Sequence, residues 1–272
     1  YNPVTRNADK TRSFNISGIS VGLAKRLSVP DDYFTLSQAV SFQYYDLNNY
    51  NTGLFTFGNG SSNNLAYTLG LSRNNTYTDP IYPTGGSSFS FSAKFTFPYS
   101  SVNNVDYSAL KTERQDLVNQ LTTDPSNTSA SERIAVIDQE KFRWLEYYKF
   151  KFKGEWYTAL TKKLVLKPTF EFGFLGAYNN DRGIVPFERF FLGGDGLGTY
   201  SLDGRETIAL RGYPNQSLSS QDGGSIYNKY SLELRYPISL GQQAKVYALA
   251  FMEGGYSFNN FRDYNPFELK RS

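Results

Sequence analysis

The feature that most constrains this chain is a period of two in its apolar residues, sustained over unusually long segments. Over 88–97, Phe89, Phe91, Ala93, Phe95 and Phe97 alternate with Ser88, Ser90, Ser92, Lys94 and Thr96. Over 34–46 the even positions are Phe34, Leu36, Gln38, Val40, Phe42 and Tyr44. Over 65–71 Leu65, Tyr67, Leu69 and Leu71 alternate with Ala, Thr and Gly. Tyr148, Phe150, Phe152 and Trp156 are set against Lys149, Lys151, Lys153 and Glu155. Leu166, Phe170, Phe172 and Phe174 are set against Lys167, Thr169 and Glu171. Neighbouring side chains on a strand point to opposite faces, so each segment predicts a strand with one apolar and one polar face. Segments 14–27, 229–236 and 244–255 bring the total to eight. Several exceed ten residues, where an ordinary strand has about 5–6 and a membrane-spanning strand needs about 9–11.

Composition bears on the choice between a soluble β-fold and a membrane barrel. Hydrophobic residues make up 39% of the 272, yet 17% of all residues are aromatic, with 22 Tyr, 22 Phe and 2 Trp. Disordered chains are poor in aromatics. No stretch approaches the roughly 20 apolar residues of a spanning helix. A barrel turns only every second residue toward lipid, which reconciles a mean hydropathy of −0.49 with a membrane location. The expected fold is therefore all-β: an antiparallel transmembrane β-barrel. Loop lengths agree. Short turns are expected near 28–32, 79–86, 161–162 and 239–243, and long connections near 47–63, 98–143, 179–228 and from 257 on. Outer-membrane barrels have short turns at one end and long loops at the other. One long loop has helical periodicity: Leu110, Leu117 and Leu121 share a face, and a second helix is expected over 131–142 with Ser131 as its N-cap.

The available chemistry is sparse. Without Cys there are no disulfides or thiolate metal sites, and without His the commonest general base and metal ligand are missing. No metal, cofactor or catalytic constellation is expected, so the chain does not read as an enzyme. Gly193-Gly194-Asp195-Gly196-Leu197-Gly198 lacks the Lys-Ser/Thr ending of a phosphate-binding loop. Asp46 to Asn51 lacks the ligand spacing of a calcium loop. Lys+Arg 28 against Asp+Glu 25 gives no argument for nucleic acid. The first residues have no apolar leader and no initiator Met, so the sequence reads as a mature product or a piece of a longer one.

The informative charges lie on strands. Glu233, between Leu232 and Leu234, shares the polar face with Ser231 and Arg235; Glu253 follows an apolar run. Carboxylates in lipid cost a few kcal/mol, so both are expected to face the lumen. An inward-folding loop could bring a base to them. Arg211 in Leu210-Arg211-Gly212-Tyr213 is the best candidate, because Gly212 permits close backbone approach and Arg can bond carboxylates bidentately. A solvated Arg211 is the plainer expectation from composition.

Leu210-Arg211-Gly212-Tyr213 resembles the [VL]-R-G-[FY] motif in the sixth extracellular loop of the BamA family, the outer-membrane insertases of Gram-negative bacteria. Phe187-Glu188-Arg189-Phe190-Phe191-Leu192-Gly193-Gly194 resembles the aromatic segment preceding that motif. Asp79-Pro80-Ile81-Tyr82-Pro83-Thr84-Gly85-Gly86-Ser87 is similar to a family turn. Ser231-Leu232-Glu233-Leu234 and Phe251-Met252-Glu253-Gly254-Gly255 are similar to two family strands. Order and spacing agree over nearly the whole chain, most weakly across 99–143. The resemblance implies that Arg211 reaches into the barrel and pairs with Glu233 and Glu253, with Arg235 a lumenal base competing for Glu233. It implies a barrel of sixteen strands, of which residues 1–272 supply about eight, the sixth to the thirteenth. On that reading there is a helical insertion at about 100–143 and an inward-folding loop at about 179–228. The seam strands and periplasmic domains would lie outside the sequence, leaving an arc with two open edges. The implied activity is folding and inserting β-barrel clients into the outer membrane by strand templating at a lateral seam. The implied partners are outer-membrane lipids and lipopolysaccharide, accessory lipoproteins of the assembly complex and unfolded client proteins. A TamA-like or two-partner-secretion pore shares the loop motif and is the main alternative; a substrate-specific porin is the weaker one.

Overall fold

A computed structural model of the chain describes residues 11–50, 57–76, 79–194, 206–220, 222–241 and 244–271. Four long strands come first: β1 (Ser13–Arg26), β2 (Phe34–Asn48), β3 (Gly60–Asn74) and β4 (Gly85–Thr96). Two helices follow, α1 (Tyr107–Thr123) and α2 (Thr128–Phe142), and then β5 (Tyr148–Ala159) and β6 (Val165–Gly176). A long loop carries two three-residue strands, β7 (Phe190–Leu192) and β8 (Glu206–Ile208). The chain ends with β9 (Ile226–Leu240), β10 (Lys245–Phe258) and the two-residue β11 (Lys270–Arg271). All neighbours in the main sheet are antiparallel, in the order β1-β2-β3-β4-β5-β6-β9-β10-β11. The eight long strands run 12 to 15 residues each, the length of membrane-crossing strands. Among the described residues β1 and β11 do not pair with each other, so the sheet is an open arc. Among the described residues no helix is long and apolar enough to cross a membrane.

The expected alternation sorts side chains onto two unlike faces. The outer face exposes Ile19, Val21 and Leu23 on β1, and Leu232, Leu234 and Tyr236 on β9. Between them lies a belt of rings. Phe91 stacks on Phe150 with centroids 6.2 Å apart, Phe152 meets Phe170 at 5.8 Å, and Phe170 meets Tyr230 at 5.1 Å. Such cross-strand ring pairs stabilise a sheet beyond simple burial. So broad an exposed apolar surface suits contact with lipid rather than water.

The packed core lies on the other face, at the long-loop end. Tyr45, Leu47, Leu145, Tyr147, Leu175 and Tyr227 from the wall and its approaches meet Phe187, Phe190, Phe191, Leu192, Ile208 and Leu210 from the loop. The loop thus supplies about half of the apolar filling. Gly173 makes room for it: a methyl group there would overlap the Tyr227 ring and lie 2.8 Å from Phe190 Cζ. At the opposite end the turn before β4 also folds inward. Tyr82 is buried, and its hydroxyl donates to the Arg235 carbonyl at 3.0 Å.

Some boundaries differ from the sequence expectation. The segment expected at 65–71 extends to all of β3, because Ser61, Ser62, Asn63 and Asn64 continue the strand without apolar alternation. They are held by chain rather than lipid: Asn63 N–H donates to the Arg143 carbonyl at 2.8 Å, and Asn64 donates to Tyr147 Oη at 3.1 Å. The second helix starts earlier than 131. Asn127 is its N-cap, accepting from Ala130 N–H at 3.0 Å, so Ser131 lies within the first turn. The first helix is capped in the same way by Asp106, accepting from Ala109 N–H at 3.0 Å. Residues 195–198 of the glycine-rich segment, Asn51 of the acidic segment and Gln242-Gln243 of the last short turn lie outside the described residues.

Candidate functional site

The loop between β6 and β9 turns back into the arc. A single 3-10 turn, Pro186–Glu188, starts the inward course, and β7 and β8 pair in parallel through Phe190–Glu206, Phe191–Thr207 and Leu192–Ile208. Backbone bonds within the loop and to its last residues before β9 fix this small sheet. Phe190 N–H donates to the Gly224 carbonyl at 2.9 Å, and Leu210 N–H donates to the Gly194 carbonyl at 2.8 Å. Leu210 is fully buried, and Tyr213 packs against the same apolar cluster. Between them Gly212 has φ 83°, a left-handed conformation that a residue with a Cβ adopts only at a cost. That turn delivers Arg211 to the wall.

The structure brings Arg211, Glu233, Glu253 and Arg235 into one cluster. Arg211 Nη2 lies 2.8 Å from Glu233 Oε1 and 2.5 Å from Glu253 Oε1. Its backbone N–H donates to Glu253 Oε2 at 3.0 Å. The guanidinium carbon sits 3.7 Å from the centre of the Phe251 ring. Strand register explains the convergence: Glu233 is paired with Phe251 and Ser231 with Glu253, so the carboxylates are diagonal neighbours on one face of β9–β10. Arg235 does not displace Arg211. It takes the other oxygen, with Nε 2.9 Å and Nη2 2.7 Å from Glu233 Oε2. Ser231 Oγ donates to Glu253 Oε1 at 3.2 Å. The bidentate grip anticipated for Arg211 is replaced by one nitrogen bridging two carboxylates.

A second cluster of opposite polarity holds the other limb of the loop. Here the loop contributes the acids. Glu188 is bound by Lys149 Nζ at 3.0 Å, Lys94 Nζ at 3.2 Å and the Tyr147 hydroxyl at 2.7 Å. Glu206, at the start of β8, is bound by Lys149 at 2.7 Å and Lys151 at 2.9 Å. Lys149 also donates to the Glu188 carbonyl at 2.7 Å. Burial alone would raise the Glu188 carboxyl, but the Lys149 and Lys94 charges bring it down to about 2. The Glu206 carboxyl is opposed by burial in the same way and is held below its ordinary value by Lys149 and Lys151. Neither acid was among the residues singled out in the sequence. The available signal was the row Lys149, Lys151, Lys153 at every second position of one strand, with Lys94 across from it. Cations in such a lumen-facing row call for counter-charges; Glu155 and Glu171 meet Lys153, which leaves Lys149 and Lys151 to acids from elsewhere in the chain.

Among the described residues no group of His, Cys, Asp or Glu is arranged to hold a metal ion. The arrangement braces a folded loop against two distant parts of a barrel wall.

Comparison with known proteins agrees with this architecture. A family model described as the Omp85 superfamily domain matches residues 4–272. The fold is similar to a crystal structure of BamA from Haemophilus ducreyi lacking POTRA domains 1–3. The TM-score is 0.56 at 18% sequence identity, over 91% of this chain and 42% of that one. The present chain thus spans less than half of that relative's length. No curated protein matches the sequence significantly. With strand order, inward loop and a family match over almost the entire length, the chain belongs to the Omp85 superfamily.

Proposed function

We propose that this chain is part of the barrel of an outer-membrane protein insertase that works as BamA does, folding β-barrel clients and inserting them into the outer membrane of a Gram-negative cell. The observation that carries the reading is the docked loop. Leu210-Arg211-Gly212-Tyr213 lies against Glu233 and Glu253 on adjacent strands, and its neighbours fill the lumen. A filled lumen favours work at the barrel wall over passage through its centre. At a wall opening, a client strand adds by main-chain hydrogen bonds, the physics of β-augmentation. The braced loop keeps the wall curved while the edge is unpaired. Outer-membrane lipid and lipopolysaccharide surround the belt, and unfolded barrel proteins and accessory lipoproteins are the partners. Residues 1–272 make up one partial barrel domain.

The test is assembly of an unfolded β-barrel client into liposomes containing the intact protein, with Arg211→Ala and Glu253→Ala beside the wild type. Both variants are expected to lower client assembly and to raise protease cleavage of the loop. Unchanged assembly together with unchanged cleavage in both would overturn the reading. Export of a soluble polypeptide without barrel assembly would favour a translocation pore.

A further inference from the structure

We propose that the cavity between the helical hairpin and the inward loop is a binding site for a phosphate-bearing anion. The cavity has a volume of about 360 Å³, within the range of small-ligand pockets. Its walls carry five cations: Lys111 and Arg114 on α1, Lys141 on α2, and Arg182 and Arg189 on the loop. Asp138 and Asp222 are its carboxylates.

Three of the cations are already spoken for. Lys111 pairs with Asp181 at 2.9 Å, Arg114 with Asp138 at 2.7 Å, and Arg182 with Glu146 at 2.7 Å. The Arg182 pair is almost fully buried. Its Nε donates to the Lys141 carbonyl at 2.8 Å, and Glu146 accepts from Ser100 N–H and Ser100 Oγ, each at 2.6 Å. These bonds clasp the hairpin to the loop and fix the cavity walls.

Lys141 and Arg189 remain. Lys141 is 7% exposed, and among the described residues its ammonium has neither a hydrogen bond nor an ion pair. Burial pushes it below the ordinary lysine value; the charges acting on it are those of Asp138, Arg114, Lys111 and Arg182, four other groups lining or bordering this same space. Arg189 Nη1 reaches the Gly223 carbonyl at 3.3 Å, but its buried Nε has no partner. Burial pushes Arg189 down as well, against the pull of Asp222, with which it makes no ion pair. An unpaired buried donor such as Arg189 Nε is uncommon and costly. With the unpaired Lys141 ammonium lining the same preformed cavity from α2, it defines a complementary ligand: an anion with acceptor oxygens in more than one plane. A phosphoryl group meets that requirement, whereas a flat carboxylate serves one wall at a time. The group could belong to a free phosphate compound or to a phosphorylated lipid headgroup.

The experiment uses the intact protein in detergent micelles. Pyrophosphate is titrated by calorimetry into the wild type, Lys141→Met and Arg189→Gln. Saturable binding is expected in the wild type and at least about tenfold weaker binding in each variant, as loss of one charge-assisted hydrogen bond implies. Methionine matches the lysine stem and removes a buried charge, so its fold should persist. Arg189→Gln probes the loop wall independently. Pyrophosphate binding is read with no client present, so the site stands or falls apart from the insertase reading. In a second arm, bisphosphorylated lipid A vesicles and dephosphorylated ones compete with pyrophosphate. Competition by the phosphorylated vesicles alone supports the site with a lipid source, and competition by neither supports it with a free phosphate compound. Absence of saturable binding to either probe, or equal binding in both cavity variants, overturns the proposal.

Discussion

The two clusters that hold the inward loop do the same job with opposite charges and different degrees of burial. At the Lys149 cluster the loop supplies acids and the wall supplies bases; at the Arg211 cluster the roles are reversed. The dry member differs: Lys149 is 6% exposed beside Glu188 at 13% and Glu206 at 28%, whereas Arg211 is 32% exposed over Glu233 at 10% and Glu253 at 3%. One cation at Lys149 serves two carboxylates and a carbonyl. Arg211 shares its carboxylates with Arg235 on Glu233 and Ser231 on Glu253. The difference teaches which contact is harder to lose. Removing a buried cation takes the centre out of its cluster, while a half-exposed bridge sits over carboxylates that wall neighbours still hold.

The sharpest way to break the comparison is Lys149→Met. It leaves Glu188 to Lys94 and Tyr147 and Glu206 to Lys151, a loss that reaches about 3–5 kcal/mol where those partners leave a buried charge uncompensated. The expected outcome is a much lower urea midpoint in micelles, with cleavage of the loop near β7 and β8. A loss under about 1 kcal/mol would mean that Lys94 and Lys151 suffice, and that the hub is shared rather than central.

Acid tests the same cluster without mutation. The Glu188 carboxyl is depressed in the folded state, from an ordinary value of 4.5 to about 2. Its contribution is thus fully present above about pH 4.5 and is lost as pH falls toward about 2. Glu206 is shifted in the same direction. Loop protection, followed by acid-tolerant proteolysis, should hold at pH 5 and fail progressively between about 4.5 and 2. Failure already at pH 6 would show that Glu188 is not held as an anion.

These two tests concern residues the sequence did not single out, and the reason is physical. Alternation made the wall legible: Phe89 to Phe97 and the Lys149 row each declare a face by their period. It also located Glu233 and Glu253, because a carboxylate flanked by lipid-facing Leu232 and Leu234, or closing an apolar strand, must turn inward. Arg211 was legible through a short motif and one glycine. Glu188 and Glu206 belong to irregular chain, where no period assigns a face. Their partners lie 39 or more positions away along the chain for Glu188 and 55 for the Lys151–Glu206 pair. The polar half of β3 was hidden for a different reason. Asn64 faces the covered end of the lumen, where its amide donates to Tyr147 Oη and Gln43 Oε1 in place of apolar contact.

The Arg211 side of the comparison should break more gently. Arg211→Ala removes charge-assisted hydrogen bonds to Glu233 and Glu253, a loss of about 1–3 kcal/mol. Arg211→Lys sharpens the point. Only Nη2 touches the carboxylates, so a single ammonium can supply the bridge while losing the face of Phe251. The lysine variant should recover part of the loss in urea midpoint and in loop protection. Behaviour as poor as alanine would mean that stacking on Phe251, rather than the ionic bridge, carries this anchor.

The smallest expected effect is the coupling between the two clusters. They share no ionised partner: Glu188, Glu206, Lys94 and Lys151 belong to one, Glu233, Glu253 and Arg235 to the other. Distant sites without common partners add within about 0.5 kcal/mol. Lys149→Met combined with Arg211→Ala should therefore lower stability by the sum of the single losses within that margin. A coupling above about 1 kcal/mol would require a mechanical link, and the β7–β8 ladder is the segment that could provide it. Gly173→Ala would then separate the cases. Its added methyl overlaps the Tyr227 ring and presses on Phe190, shifting the ladder while leaving both charge clusters chemically intact. If the link is mechanical, that one substitution should weaken loop protection at both clusters; if the clusters are independent, it should act at the Lys149 side alone.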